Sequence, residues 1–251
     1  MFPRVAGFGG PGESHMPLNF AYGSIADEAL AKLESLVGPT DPDREAFLDA
    51  CSARFARDEL ARIGETLDFL EGLESKDDRH PSMRAYLNHP VRVALRVLRS
   101  LPEPRLEPVQ AALLHNVYEI GGLNEHALLG QGFGSFVADG VRLLTIDRRL
   151  QNDAQYLNSF YEAIEGFGPE LVLIRCVDKI DNLLAMDAIE ATPVRTLYLL
   201  ITQRYVAPMA THLDQRLSDY MGDLIAHMAE YGPRAEWVAR YDAFKTRAYA
   251  V

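Results

Sequence analysis

The chain is poor in sulfur: its 251 residues hold two cysteines, Cys51 and Cys176. Both fall inside apolar, helix-periodic stretches, which excludes a disulfide framework or thiolate metal site and points to a reducing, cytoplasmic setting. It also lacks any basic excess. With a formal net charge of -11 and a pI near 5.1, its mean field repels polyanions, so nucleic acid and anionic membrane faces are not expected partners. A nucleotide ligand would need local positive charge or a cation. No apolar run approaches the ~18 residues of a membrane span, and the Gly/Pro-rich start has no continuous apolar core of the kind a secretion signal needs. No convincing run of alternating polar and β-branched residues occurs; the continuous apolar stretch 171–174 runs straight into a helical pattern.

What is present is helical periodicity around one sizeable core, in a chain that is 48% hydrophobic. Apolar residues recur at spacings of three and four, as in Leu30, Leu33, Val37 and again in Leu60, Ile63, Leu67, Leu70. Pro and Gly clusters punctuate them at Gly38-Pro39, His80-Pro81, 101–108, Gly121-Gly122, 166–169, Pro193 and Gly232-Pro233. The expected fold is all-α, a single globular multi-helix domain over 24–215. A flexible Gly/Pro-rich segment (1–23) precedes it, and a helical extension (216–251) packs on the core. An interface with a second copy is the alternative role for that extension. The Gly-Phe-Gly-Gly-Pro-Gly string at residues 7 to 12 follows no strand and opens no helix, so it reads as tail rather than phosphate loop. Arg92, Arg96 and Arg99 share a helical face and read as a solvated stripe.

The chemistry is sought among seven histidines, and position singles out two. His89 opens an amphipathic run with Pro90 in its first turn. His115 lies deep in the apolar run Val109, Ala112, Leu113, Leu114, Val117, with Asn116 and Glu119 following within about one turn. A third polar island, Asp178 with Asp181 and Asn182, interrupts the apolar run 171–184, and the i to i+4 spacing sets Asp178 and Asn182 on one face. Buried polar groups left unpaired cost ~1–3 kcal/mol each, so the islands imply either a satisfied polar network or a bound ion. If the three helices pack together, two imidazoles, a carboxamide and a carboxylate surround one point, a mixed N/O set suited to manganese, iron or zinc.

Four motifs in order carry a resemblance. They are 86–94 (Tyr-Leu-Asn-His-Pro-Val-Arg-Val-Ala), 111–119 (Ala-Ala-Leu-Leu-His-Asn-Val-Tyr-Glu), Phe133-Gly134 with 141–145, and 173–182 (Leu-Ile-Arg-Cys-Val-Asp-Lys-Ile-Asp-Asn), with an echo at 205–210. Over residues 60 to 215 the chain resembles the hydrolase domain of the Rel/Spo alarmone enzymes, within the HD-domain phosphohydrolase superfamily. The resemblance implies a stand-alone hydrolase-type domain with one divalent metal, manganese first and iron or zinc as alternatives. His89, His115, Asn116 and Asp178 would be its ligands and Glu119 the catalytic carboxylate that orients or deprotonates the attacking water. Asn182, with Arg79, His80 and Arg84, would contact a nucleotide or other phosphorylated small molecule. The implied reaction removes 3'-pyrophosphate from a guanosine polyphosphate. Two positions depart from the family pattern, which has Asp where Asn116 stands and an acid where Ile120 stands. The first removes charge from the metal shell and lowers affinity. The second removes a partner for the attacking water. A degenerate domain that senses nucleotide or serves as an interaction module is the rival reading, and hydrolysis of another phosphoester is a further one.

Overall fold

The computed structural model describes residues 16, 18–37, 42–74, 87–188 and 192–248. Among these the chain is all-α, with no strand. His15, the rest of the expected tail up to it, and the expected ligand-contacting Arg79, His80 and Arg84 lie outside the described residues, whereas the end of that tail is packed rather than loose, with Leu18 buried in the core and Tyr22 stacked on Tyr220.

Helix α1 (Ile25–Val37), α2 (Pro42–Ser52) and α3 (Arg57–Glu71) come first. Next are α4 (Asn88–Ser100), α5 (Leu106–Leu114), the single turn α6 (Val117–Ile120), α7 (Glu125–Gly130) and α8 (Ser135–Leu144). Helix α9 (Ala154–Phe167) and α10 (Pro169–Leu184) follow. Then α11 (Thr192–Ile201) passes through a π-helical turn, Thr202–Val206, into α12 (Ala207–Leu213), ahead of α13 (Gln215–Tyr231) and α14 (Ala235–Ala248). Starts are set by side chains that satisfy the free amides of the first turn: Asp153 caps α9 and Asp214 caps α13. At α10 the device is different. Gly168 takes φ 146°, closed to L side chains, and Pro169 supplies the first helical residue, so the chain reverses sharply from α9 into α10.

Helix α10 is the hub. It packs against α1, α4, α5, α8, α9, α12 and α13, and it is buried on nearly every side from Leu171 to Leu184. Such a helix leaves no solvent face for polar residues, so Arg175, Asp178 and Asp181 have to find partners inside. Helices α4 and α5 pack on each other and both reach α10. Where α8 approaches α10, Gly140 has no room for a Cβ without pressing on Leu171, at 3.2 Å. Cys51 and Cys176 are both free and buried. In the C-terminal part, Leu224 and Met228 enter the main core, while Trp237 packs with Leu33 and Ala188. No helix among the described residues is long and apolar enough to cross a membrane.

Candidate metal centre

Each imidazole is delivered by a helix end. His89 stands in the first turn of α4, whose apolar face (Val93, Ala94, Val97, Leu98) locks it onto the core. The continuous helix expected through His115 and Glu119 is in fact broken. Helix α5 ends at Leu114, Asn116 leaves helical geometry at φ -116° and ψ 4°, and α6 restarts at Val117. The break has a local cause: His115 Nδ1 lies 2.7 Å from the Ala112 carbonyl, the side chain thus tying up an oxygen of the final turn.

The structure brings His89, His115 and Asp178 together, with Nε2 of His89 3.1 Å from Nε2 of His115. Asp178 Oδ1 is 3.3 Å from the first nitrogen and 3.6 Å from the second. Hydrogen-bond partners settle the tautomers. His115 Nδ1 faces the Ala112 carbonyl and His89 Nδ1 faces Asp181 Oδ2 at 2.8 Å, acceptors that require Nδ1–H in both rings. Both Nε2 atoms and a carboxylate oxygen therefore converge, an arrangement that holds together only with a proton or a cation between them. A point equidistant from three atoms so spaced lies about 1.9 Å from each in their plane, so a cation at the ~2.0–2.2 Å usual for zinc sits just above it. The donor set fits a transition-metal dication on both chemistry and spacing.

The surrounding charges fix the carboxylates. Burial pushes the Asp178 carboxyl up, but Lys179, the two imidazoles and Arg175 outweigh it and hold it well below the usual range. Its Oδ2 accepts from Arg175 at 3.0 Å and lies 3.7 Å from Lys179 Nζ, while Oδ1 accepts from Asn182 at 2.7 Å. The expected ligand-contacting Asn182 donates through Nδ2 to Asp178 and so helps to orient it. For Asp181, burial is again opposed, here by Arg92, Lys32 and His89, and the carboxyl again lies well below its ordinary value. Burial and Arg92 push Lys32 down to about 7 against the pull of Asp181. His115 is lowered chiefly by burial, which favours the neutral, ligating form.

Glu119 sits beside this group. Burial raises its pKa, with Arg175 and Lys179 opposing and Asp178 reinforcing, and Arg148 donates to it through Nε at 2.8 Å. Asn116 follows His115 directly and is half-buried. Ile120 is 2% exposed and packs on Leu73, so hydrocarbon occupies the position where the family pattern carries an acid.

One expectation is corrected. Arg92 is not part of a solvated stripe: it is buried, with Nε 3.0 Å from Asp181 Oδ1. Arg96 is half-buried between Glu28 and the Tyr22 ring, and only Arg99 is exposed. Spacing identified the shared face; acids on other helices, the buried Asp181 and the half-buried Glu28, turned two of its members inward. Sequence reasoning placed Asp181 in a polar island without giving it a role, and missed Lys32 and Arg92 as neighbours of the site. Asp181 carried a signal, an acid in an all-apolar helix. Lys32 carried none, since a lysine in an amphipathic helix reads as solvent-facing. The remaining described histidines stand apart from the cluster: His126 is exposed, His212 pairs with Glu165, and His227 stacks on Tyr231. A cavity of about 150 Å³ between α3 and α5, lined by Thr66, Phe69, Gln110 and Phe133, also lies away from the cluster; convergent donors, not cavity size, mark the site.

An all-α fold with a buried His-His-Asp cluster defines, at the level of class, a candidate divalent-cation centre. No protein-family model, curated protein or solved structure matches the chain.

Proposed function

We propose that the chain is a divalent-metal-dependent phosphohydrolase of the HD type, similar to the alarmone hydrolases, that removes 3'-pyrophosphate from a guanosine polyphosphate. The observation that carries the reading is the convergence of two imidazole Nε2 atoms and Asp178 Oδ1 near a half-buried carboxylate, Glu119. His89, His115 and Asp178 would hold the metal, with Asn116 adjacent. When bound, such a cation supplies Lewis acidity toward a phosphoryl oxygen and lowers the pKa of a coordinated water. Glu119, its pKa raised by burial, takes the proton of the attacking water, since a raised carboxylate is a stronger base near neutral pH.

Local charge favours an anionic substrate despite the chain's overall acidity. Around Asp178, Asp181 and Glu119 stand Arg175, Lys179, Arg92, Lys32 and Arg148, so basic partners outnumber acids. A pyrophosphate group supplies the missing negative charge. Lys179, packed over Tyr198 at 4.8 Å, and the half-exposed Arg148 are placed to meet it. The test is direct: purified protein with manganese is incubated with guanosine tetraphosphate and other 3'-phosphorylated nucleotides. Pyrophosphate or phosphate release that is lost in His115→Ala is expected. Absence of release from every such nucleotide refutes the proposal.

A second reading is favoured by one observation. Ile120 is sealed against Leu73, so the partner acid of the family pattern is missing and its place is dry. A domain that binds nucleotide without turning it over accounts for that packing, and stoichiometric nucleotide binding without product release identifies it.

A further inference from the structure

We infer that Asp181 is the positioning residue of this centre: its carboxylate, clamped by Lys32 from α1 and Arg92 from α4, fixes His89 with Nδ1–H pointing away from the cluster and Nε2 directed into it. The inference deepens the hydrolase reading and rests on it for the cation, while the ring orientation rests on hydrogen bonds alone. Asp181 is 0% exposed. It accepts from Lys32 Nζ, from Arg92 Nε at 3.0 Å and Nη2 at 3.3 Å, and from His89 Nδ1 at 2.8 Å.

An ionised carboxylate has about four acceptor sites and no donor. Held ionised by the Arg92 guanidinium, with Lys32 Nζ also donating to it, it discriminates between histidine tautomers, because only Nδ1–H can face it. The two acids of α10 therefore divide the work: Asp178 presents an oxygen to the cluster, and Asp181, three residues on, stands behind His89. Burying a Lys-Asp-Arg group is stability-neutral or costly beside hydrocarbon of the same volume. A network kept in spite of that, with its one imidazole partner lining the cation site, is explained by orientation of the ligand. Lys32 makes this contact across 149 residues of sequence, so α1, outside the stretch that carries the family resemblance, completes the centre.

The experiment compares wild type with Asp181→Asn, Lys32→Met and, as a control, Asp187→Asn. Asp187 is another fully buried carboxylate, ion-paired to Arg234 outside the cluster. Long-range 1H–15N correlation of the imidazoles in metal-free protein reads the His89 tautomer, and calorimetric titration with manganese or zinc reads affinity. In Asp181→Asn, His89 is expected to become a mixture of tautomers and metal affinity to fall about 10- to 100-fold. Lys32→Met, which leaves both Arg92 contacts, shifts both readouts in the same direction by less, and decides the matter if Asp181→Asn does not fold. Asp187→Asn is expected to lower stability while leaving tautomer and affinity unchanged. A His89 ring that stays in the Nδ1–H form without Asp181, unchanged affinity in both site variants, or an equal shift in the Asp187→Asn control overturns the inference. If wild type binds no metal, the hydrolase reading fails, and the tautomer measurement still decides the role of Asp181.

Discussion

Replacing Ile120 by aspartate introduces the acid that the Rel/Spo pattern carries there, and the structure predicts that the fold resists it. Ile120 is buried on Leu73. Truncation in Ile120→Ala removes the buried hydrocarbon and leaves a void, at a cost of about 2–4 kcal/mol. Ile120→Asp loses the same contact and buries a carboxyl as well, which adds about 1–3 kcal/mol even where the group protonates to escape the charge. The total, about 3–7 kcal/mol, is a large share of the ~5–15 kcal/mol by which domains are stable. The pH dependence follows from the sign of the shift. Burial raises the new carboxyl above its unfolded value near 3.9, so the folded state holds the extra proton; the penalty is full above the raised pKa and eases as pH falls through it toward 3.9. Guanidinium denaturation of wild type, Ile120→Ala and Ile120→Asp at pH 5 and pH 8 measures each part. The expected excess of Asp over Ala is largest at pH 8 and smaller at pH 5. Equal costs for the two variants, unchanged between the two pH values, refute the premise that this position is dry.

Two further outcomes follow from the charges of the site. Asp178 and Asp181 both titrate well below 3.8 in the folded protein, so the stability they contribute is present above that unfolded value and is lost as pH falls from about 5 through 3.8 and below; the denaturation midpoint should drop over that interval, and drop less steeply in Asp181→Asn. Asn116→Asp places a negative charge beside His115 in surroundings where cations outnumber carboxylates, and should tighten manganese binding at least ~10-fold, read by calorimetry; an unchanged constant removes Asn116 from the metal shell.

The fold class was legible because helical periodicity is a local property. Spacings of three and four along 171–184 mark a buried helix wherever it packs, and Gly168-Pro169 marks its start without reference to the rest of the chain. The polar islands were legible for a related reason: an acid or imidazole inside an apolar helix is costly unless partnered, so His89, His115 and Asp178 announced partners before any were known. Which partners they have is decided between helices. That His89 meets His115 at Nε2, with Asp181 behind it, depends on the packing of α4, α5 and α10. The helix break at His115 was hidden because a side chain competing for a carbonyl leaves no mark in periodicity.

Arg92 and Lys32 show the boundary most clearly. Each has the sequence context of a surface residue, and each is buried because Asp181, far away in the chain, needs neutralising charge. The residues by themselves determined a helical protein with buried polar groups in need of one another; only the tertiary structure decided which groups met, since the energy of a buried charge is set by what lies within a few ångströms in space and not by its neighbours along the chain.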